Sequence, residues 1–327
     1  MPAIRAARLE CLGSLRFPPR SFPELTPLRR HRNAVSIKDA YSSGRFGLSF
    51  ELFPPKTPES EQAMWQTVEE LTTFDPAMIT CTYGAGGSTR GTTLDVLKGV
   101  MARHALPVAS HLTCVGSSVA ELREYLREAL QLGVAAIVAL RGDPPKGETA
   151  FRPVDGGLRY ASELVSLIRA EFPEFGIVVA GYPETHQEAV SPEADLDNLK
   201  RKCDAGGDVI VTQLFYDNAD FFRFRDECAA RGIRAAIVPG VMPVTNYTQV
   251  RRIASLCKAR LPDSFTQSFE AAGADENAQF DAGVSFAARQ VEELIEAGVP
   301  GIHFYVLNKS PATIRVLDHV GMKRSVV

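Results

Sequence analysis

The stretch VASHLTCVGSSVAELREYLREALQLGVAAIVALRGD, residues 108–143, decides the fold. It begins with a short apolar run, Val108–Leu112, and ends with another, Ala135–Leu140, each of the length of a buried strand. Between them, Ser118 and Glu121 stand three residues apart ahead of leucines at helical spacing, which is the capping box that begins a helix. The stretch therefore predicts one strand–helix–strand unit, the building block of a parallel sheet.

The same alternation continues on both sides of this stretch. Most apolar runs begin about 30 residues after the previous one, which is the period of a strand–helix repeat. Thr57-Pro58-Glu59 and Ser191-Pro192-Glu193 each place a cap, a proline and an acid where a helix should begin. The eight predicted strands are Leu48–Phe53, Met78–Tyr83, Val108–Leu112, Ala135–Leu140, Ile177–Ala180, Val209–Leu214, Ala236–Pro239 and Ile302–Leu307.

Eight such units predict an α/β fold of the (β/α)₈ TIM-barrel type, in a single domain over residues 46–327. A doubly wound sheet is the alternative, but no strand is followed by its Gly-x-Gly-x-x-Gly turn. Residues 84–87 (GAGG) come nearest to that turn, with Thr89 in place of the third glycine. The long connection before the last strand has room for two or three helices, predicted at Tyr247–Cys257, Pro262–Ala271 and Glu276–Ala297.

Composition excludes several classes of protein. Apolar residues make up 45% and charged residues 23% of the 327 residues, which is the balance of a globular protein. A net charge of −3 argues against a nucleic-acid partner, and the apolar runs are far shorter than a membrane span of about 20 residues. The six cysteines form no Cys-x-x-Cys pair and indicate reduced thiols. We therefore expect a cytoplasmic enzyme that binds neither membranes nor nucleic acids.

The charge is unevenly distributed along the chain. Residues 1–45 hold eight Arg and one Lys against two Glu and one Asp, a balance of +6, so the remainder carries −9. This segment is rich in Pro and Ser and has no lasting hydrophobic period, which predicts a flexible, poorly ordered N-terminal extension. It also bears a weak likeness to an organelle transit segment.

Polar residues follow seven of the eight predicted strands, at the end of a barrel where catalysis takes place. In the first strand, alternation puts Ser49, Glu51 and Phe53 on one face. A glutamate at the mouth of a barrel, among aromatic side chains, has its protonated form favoured and can donate a proton near neutral pH. A structural carboxylate paired with Arg or Lys is the alternative interpretation of Glu51.

Several chemistries fit this set of strand ends poorly. Schiff-base chemistry needs a lysine inside the barrel, and no predicted strand carries one. A metal-dependent hydrolase could use Glu51, His111, Asp143 and His186, although no His-x-His or His-Glu-x-x-His spacing supports it. The mixture of carboxylate, hydroxyl, amide and aromatic groups instead suits a planar ligand across which a proton or hydride moves.

Eight short motifs, in order from residue 46 to about residue 322, together resemble those of the methylenetetrahydrofolate reductase family. Each motif alone is weak, but their order along nearly the whole chain is specific. They are residues 49–56 (SFELFPPK), 82–85 (TYGA), 111–114 (HLTC), 139–143 (ALRGD), 182–186 (YPETH), 195–202 (DLDNLKRK), 212–215 (TQLF) and 304–308 (FYVLN).

The resemblance implies a barrel that binds FAD, takes hydride from NADH or NADPH, and reduces 5,10-methylenetetrahydrofolate to 5-methyltetrahydrofolate by a ping-pong mechanism in methionine metabolism. By the same resemblance Glu51 is the general acid, and Asp143 is catalytic and contacts both flavin and folate. The implied FAD-binding residues are Thr82, His111, Leu140, Arg141, Gly142, Asp143, Tyr160, Ala161, Tyr182, His186, Asp195, Asn198, Arg201 and Lys202. The implied substrate-binding residues are Glu51, Asp143, Gln213, Tyr305, Leu307 and Lys309.

Two alternatives remain open at this point: a metal-dependent barrel lyase or hydrolase, and a barrel that has lost its activity and serves as a binding module. Lys309 stands where bacterial relatives often have arginine, which leaves a bidentate contact to the folate tail open. We expect small-molecule substrates, no bound metal and a homo-oligomer. The sequence does not distinguish NADH from NADPH.

Overall fold

The computed structural model describes residues 36–41, 46–83, 90–144, 147–148 and 150–325. Within them, nine strand segments form one sheet in which every pair is parallel and strands that follow one another in the chain mostly lie side by side. The segments are β1 Gly47–Leu52, β2 Met78–Cys81, β3 Val108–Thr113, β4 Ala136–Leu140, β5 Gly176–Gly181, β6 Val209–Thr212, β7 Ala236–Val238, β8 Gly240–Val241 and β9 Gly301–Tyr305.

The predicted seventh strand, Ala236–Pro239, ends one residue early: β7 stops at Val238, Pro239 interrupts the ladder, and a second short segment that was not predicted, β8, follows it. Segment β7 pairs with β6 and β8 pairs with β9, so the chain crosses here from one edge of the sheet to the other. Pro239 has no N–H to give to a ladder, but its carbonyl accepts a hydrogen bond from His303 N at 3.0 Å. Since β1 also pairs with β9, the sheet closes into a (β/α)₈ barrel, which confirms the predicted fold.

The helices alternate with the strands as the sequence predicted. Thr57, Ser118 and Ser191 each cap a helix through the side-chain oxygen, and the capping box of Ser118 and Glu121 is formed. The three predicted helices between the last two predicted strands are present, with ends within one residue of the expected ones. In the described residues the helices are α1 Ile37–Ala40, α2 Pro58–Thr72, α3 Arg90–His104, α4 Val119–Leu132, α5 Ala161–Glu171, α6 Pro192–Asp204, α7 Asn218–Ala230, α8 Tyr247–Cys257, α9 Asp263–Ala272, α10 Glu276–Glu296 and α11 Pro311–His319.

Helix α1 closes the amino-terminal end of the barrel. Ile37 packs so tightly on β5 that a methyl group added at Gly176 would lie 2.3 Å from its Cγ2 atom. Lys38 Nζ lies 2.9 Å from Oδ1 of Asp208, just before β6. The predicted extension, residues 1–45, therefore contains an ordered segment, residues 36–41, that packs on the barrel. Residues 1–35 lie outside the described residues, and our expectation for them stays a prediction.

The barrel interior has an apolar floor beneath a polar mouth. The floor is a buried cluster in which α1 contacts small or branched residues near the amino-terminal ends of the strands, among them Ala109, Ala136 and Val209. A larger cluster fills the space between the strands and the outer helices. The apolar floor leaves the carboxyl ends of the strands as the open part of the barrel.

Candidate active site

A cavity of about 580 Å³ opens at the carboxyl ends of the strands. It joins a second cavity of about 540 Å³ that runs outward over β5 and α6. The two share five lining residues, Leu140, Arg141, Ala180, Tyr182 and His186. Together they form one elongated, mostly pre-formed recess of the size that holds a cofactor and a substrate.

Glu51 lies at the centre of the first cavity. Strand β1 is buried on both faces, and the alternation of its side chains directs Glu51 into the barrel mouth, where it is only 6% exposed. Its Oε2 atom lies 3.3 Å from His111 Nε2 and 3.8 Å from His303 Nε2. A buried carboxyl between two imidazole rings is placed to give and recover a proton.

Two of the groups around Glu51, His111 and Tyr305, are held uncharged by burial. Burial lowers the pKa of His111, and the nearby Glu51 opposes that shift only in part. Burial raises the pKa of Tyr305 well above its usual value, and its hydroxyl donates to Thr212 O at 2.7 Å. A side chain at position 240 would collide with both the Tyr305 ring and Thr212 O, so Gly240 makes room for this arrangement.

Two buried threonine hydroxyls in the same cavity have no hydrogen-bond partner among the described residues. The Oγ1 atoms of Thr80 and Thr113 are buried and make no hydrogen bond within the described residues. Both side chains line the first cavity. Because buried polar atoms in native proteins are almost always hydrogen-bonded, these hydroxyls indicate a polar ligand or water at this depth.

The second cavity is polar and carries positive charge. Arg141 makes a bidentate pair with Glu188 at 2.6 and 2.8 Å, which raises the pKa of Arg141. Lys202 Nζ donates to Ala180 O at 2.5 Å, and burial lowers the pKa of Lys202 to about 8, with Asp195 opposing the shift. Lys202 is therefore still mostly protonated at pH 7, as an anion-binding lysine must be.

The same cavity holds a second group of hydrogen-bonding side chains. Asp195 accepts from His186 N at 2.8 Å, and His186 packs edge-on against Tyr182 at 4.6 Å between ring centres. Arg201 is exposed and donates to Asn198 one turn earlier on α6. These donors and acceptors suit an elongated ligand with polar and charged parts.

The structure brings all the predicted cofactor residues to this recess. Thr82, His111, Gly142 and Asp143 line the first cavity. Leu140, Arg141, Tyr182 and His186 line both cavities. Those that line only the second are Tyr160, Ala161, Asp195, Asn198, Arg201 and Lys202. Their contacts with a cofactor stay a prediction.

The predicted substrate residues meet in the first cavity, with one exception. Glu51, Asp143, Gln213, Tyr305 and Leu307 line it, while Lys309 lies in a neighbouring cavity of about 130 Å³. The two cavities share the walls Met242, Ile253, Tyr305 and Leu307. Lys309 is thus adjacent to the first cavity, and its contact with the substrate stays a prediction.

Some site residues were not singled out from the sequence. His303 lies two residues before Tyr305 on one strand, a spacing that predicts that the two side chains face the same way. Glu188 lies in a loop and pairs with Arg141 across 47 residues. Met242 and Ile253 come from the connection after β8 and from α8, where no periodicity distinguishes a cavity wall from core.

A (β/α)₈ barrel with a buried carboxylate and two imidazoles in its mouth defines a barrel enzyme acting on a small molecule. The methylenetetrahydrofolate reductase family model matches residues 36–321. The chain belongs to this family.

Two sequence relatives and one solved structure are similar to this chain. The chain is 38% identical to 5,10-methylenetetrahydrofolate reductase of Escherichia coli over 292 residues, 89% of this chain and 96% of that protein. It is 36% identical to Methylenetetrahydrofolate reductase (NADH) 1 of Arabidopsis thaliana over 296 residues, 88% of this chain and 50% of that protein. A Clostridium thermocellum protein, described as binding two copies of 5-methyl-5,6,7,8-tetrahydrofolic acid, shares the fold at 14% identity with a TM-score of 0.58, over 84% of this chain and 93% of that one.

Two further observations concern membranes and metals. None of the helices in the described part of the chain has the length and hydropathy needed to span a membrane. Across the described residues, no three His, Cys, Asp or Glu side chains are grouped as a metal ion would require.

Proposed function

We propose that this protein reduces 5,10-methylenetetrahydrofolate to 5-methyltetrahydrofolate with hydride from NADH or NADPH, passed through a bound FAD in two separate half-reactions. The observation that carries the proposal is Glu51, a buried carboxyl between two imidazoles in the mouth of a barrel of this family. The family match also favours this reaction over the metal-dependent alternative.

The residues of the recess fit FAD. The unpartnered hydroxyls of Thr80 and Thr113 offer hydrogen bonds deep in the first cavity, where a planar polar ring would bind. Lys202, Arg201 and Asn198 line the second cavity and suit a pyrophosphate, since charged donors make the strongest hydrogen bonds to such groups. When bound, FAD supplies a two-electron carrier that accepts hydride from the nicotinamide and delivers it to the folate.

The chain's own contribution is a proton. The carboxyl of Glu51 donates its proton to N10 of the folate, the bond between N10 and the bridging carbon breaks, and the resulting iminium carbon accepts hydride. Hydride and proton together convert the methylene bridge into a methyl group. His111, 3.3 Å away, orients the carboxyl and helps to return a proton to it.

Two further residues bear on substrate position. Gln213 Oε1 accepts from Leu214 N at 2.8 Å, which holds the amide in the cavity for a hydrogen bond with the pterin ring. Asp143 is exposed at the cavity edge, within electrostatic reach of Arg141 and Tyr182. From there it can bind folate and influence the electronics of the flavin ring.

An anaerobic titration tests the proposal. The purified protein should be yellow, should bleach on addition of NADH or NADPH, and should recover its colour on addition of methylenetetrahydrofolate. The Arabidopsis relative is named for NADH, which makes NADH the first reductant to try. A colourless protein that oxidises neither nicotinamide, or one that carries stoichiometric zinc or manganese and no flavin, would contradict the proposal. The homo-oligomer and the cytoplasmic location stay predictions.

A further inference from the structure

A line of hydrogen-bonding side chains runs inside the barrel from its floor to Glu51. It begins at Tyr41, directly after α1, whose hydroxyl donates to Ser49 Oγ at 2.8 Å. Ser49 Oγ in turn lies 2.8 Å from His303 Nδ1, and His303 Nε2 lies 3.8 Å from Glu51 Oε2. Tyr41, Ser49 and His303 are at most 2% exposed, so water does not compete for these bonds.

The proton of Tyr41 sets the direction of the line. Burial raises the pKa of Tyr41 to about 12, against a smaller opposing effect of the Ser49 hydrogen bond, so the phenol keeps its proton at neutral pH. Ser49 Oγ accepts that proton and has one of its own to donate, toward His303 Nδ1. An Nδ1 that accepts carries no proton, and the neutral ring then carries its proton on Nε2, facing Glu51.

We propose that Tyr41 is a positioning residue for the reduction of folate: through Ser49 it holds His303 as the neutral Nε2–H tautomer beside Glu51. The inference depends on the proposed function for its catalytic meaning, but the tautomer itself is a property of the folded chain. It makes helix α1, at the opposite end of the barrel, part of the acid's environment.

Loss of the Tyr41 hydroxyl changes which proton states are possible. With Tyr41 present, a proton on His303 Nδ1 would force Ser49 to turn its own proton away from both partners. Without it, Ser49 Oγ is free to accept from Nδ1–H, and the neutral ring can then present a bare Nε2 to Glu51. A bare Nε2 is a hydrogen-bond acceptor that competes with the folate for the proton of the Glu51 carboxyl.

The other groups that face Glu51 do not replace His303 in this role. His111 on β3 is kept neutral by burial, which lowers its pKa. Burial also raises the pKa of Cys81 on β2 and of Tyr305 on β9, so both keep their protons. His303 is therefore the neighbour whose proton position depends on Tyr41.

Stopped-flow measurements on Tyr41→Phe test the catalytic part. In Tyr41→Phe we expect folate reduction to slow by about tenfold, because the Glu51 proton is then shared with His303 in a competing hydrogen bond. Flavin reduction by NADH should keep its rate. The matched control is Tyr125→Phe, which removes another buried phenol, 2.6 Å from Ser110 Oγ on the outside of the barrel. An unchanged rate of folate reduction in Tyr41→Phe, or the same loss in Tyr125→Phe, would overturn the proposal.

Nitrogen NMR on protein labelled with ¹⁵N-histidine tests the tautomer without any turnover. The His303 signals, assigned by their loss in His303→Gln, should show a proton on Nε2 and none on Nδ1 in the unaltered protein at pH 7. A proton on Nδ1 there would overturn the proposal with no variant needed. If Tyr41→Phe does not fold, Ser49→Ala removes the hydroxyl that donates to Nδ1 and should lower the population of the Nε2–H tautomer, and an unchanged tautomer population would count equally against the proposal. If the unaltered protein binds no flavin or reduces no folate, the proposed function fails while the NMR result still decides the tautomer.

Discussion

The two ends of this barrel are built from the same strands but with opposite kinds of side chain. At the carboxyl ends, β1, β3 and β9 present Glu51, His111 and His303 to a cavity. At the amino ends, small and branched residues meet α1 in a dry cluster. The comparison teaches that the apolar floor does more than fill space: it excludes water beneath Glu51, where a low dielectric strengthens the electrostatic interactions of Glu51 with His111 and His303.

The largest change in reaction rate should come from a substitution at the mouth of the barrel. Glu51→Gln keeps the shape of the side chain but removes the acid, so folate reduction should fall by about 10²–10⁴-fold. Flavin reduction by NADH needs no proton from Glu51 and should continue at its usual rate. Rapid mixing of each half-reaction separates the two, with the exposed Glu174→Gln as the control. Equal loss in both half-reactions would show that Glu51 serves the structure or flavin binding instead.

A substitution in the apolar floor should lower the stability of the fold and leave the reaction rates unchanged. Ile37→Ala leaves a cavity where α1 packs on Gly176 and should lower the free energy of unfolding by about 2–4 kcal/mol. Urea denaturation at 25 °C measures the loss, and flavin reduction in the folded fraction should stay unchanged. A change well below 1 kcal/mol would mean that α1 is a dispensable cover and that the floor is sealed by the strands alone.

The same contrast explains what could be predicted from the sequence. Strand–helix alternation and the capping signals at Thr57 and Ser118 are local, so the barrel and most element ends were predictable. The break at Pro239 and the inclusion of residues 36–41 depend on closing the barrel, a non-local event that no window of sequence contains.

The site divides in the same way. Most residues of the recess were predictable because most of the motifs lie at the ends of strands, while residues 195–202 lie on α6. His303 was recognisable by its register with Tyr305, whereas the placement of Lys309 in a side cavity depends on how the chain turns after β9. The link from Tyr41 to His303 spans more than 250 residues and required the structure.

Lys202 tests the role of the second cavity through the pH dependence of FAD affinity. Burial holds its pKa near 8 instead of 10.5, so the ammonium form that an anionic cofactor needs is lost as pH rises through about 8. FAD affinity should therefore weaken above that pH. Lys202→Met should weaken FAD binding by about tenfold to a hundredfold at pH 7 and remove the pH dependence. Fluorescence titration of the apoprotein measures both.

The neighbouring lysine supplies the control for Lys202. Lys200 pairs with Asp204 at 2.8 Å on the same helix and does not line the second cavity. Lys200→Met should leave FAD affinity and its pH dependence as they are. A pH-independent affinity in the unaltered protein would place the phosphates of the cofactor away from Lys202.

The smallest effect should come from the rim of the floor. Lys38 is mostly exposed, and its partner Asp208 keeps Arg169 at 2.7 Å and the N–H of Ile177 at 2.9 Å when Lys38 is removed. Lys38→Met should therefore cost at most about 1 kcal/mol of unfolding free energy, and less at high salt, because an exposed ion pair is screened by solvent and ions. Both half-reactions should keep their rates.

Urea denaturation in low and high salt, compared with Ile37→Ala, shows whether α1 is held by apolar packing or by charge. A loss from Lys38→Met as large as that from Ile37→Ala would mean that charge holds α1 on the barrel. Both ends of the barrel would then depend on polar interactions, and the contrast between an apolar floor and a polar mouth would fail.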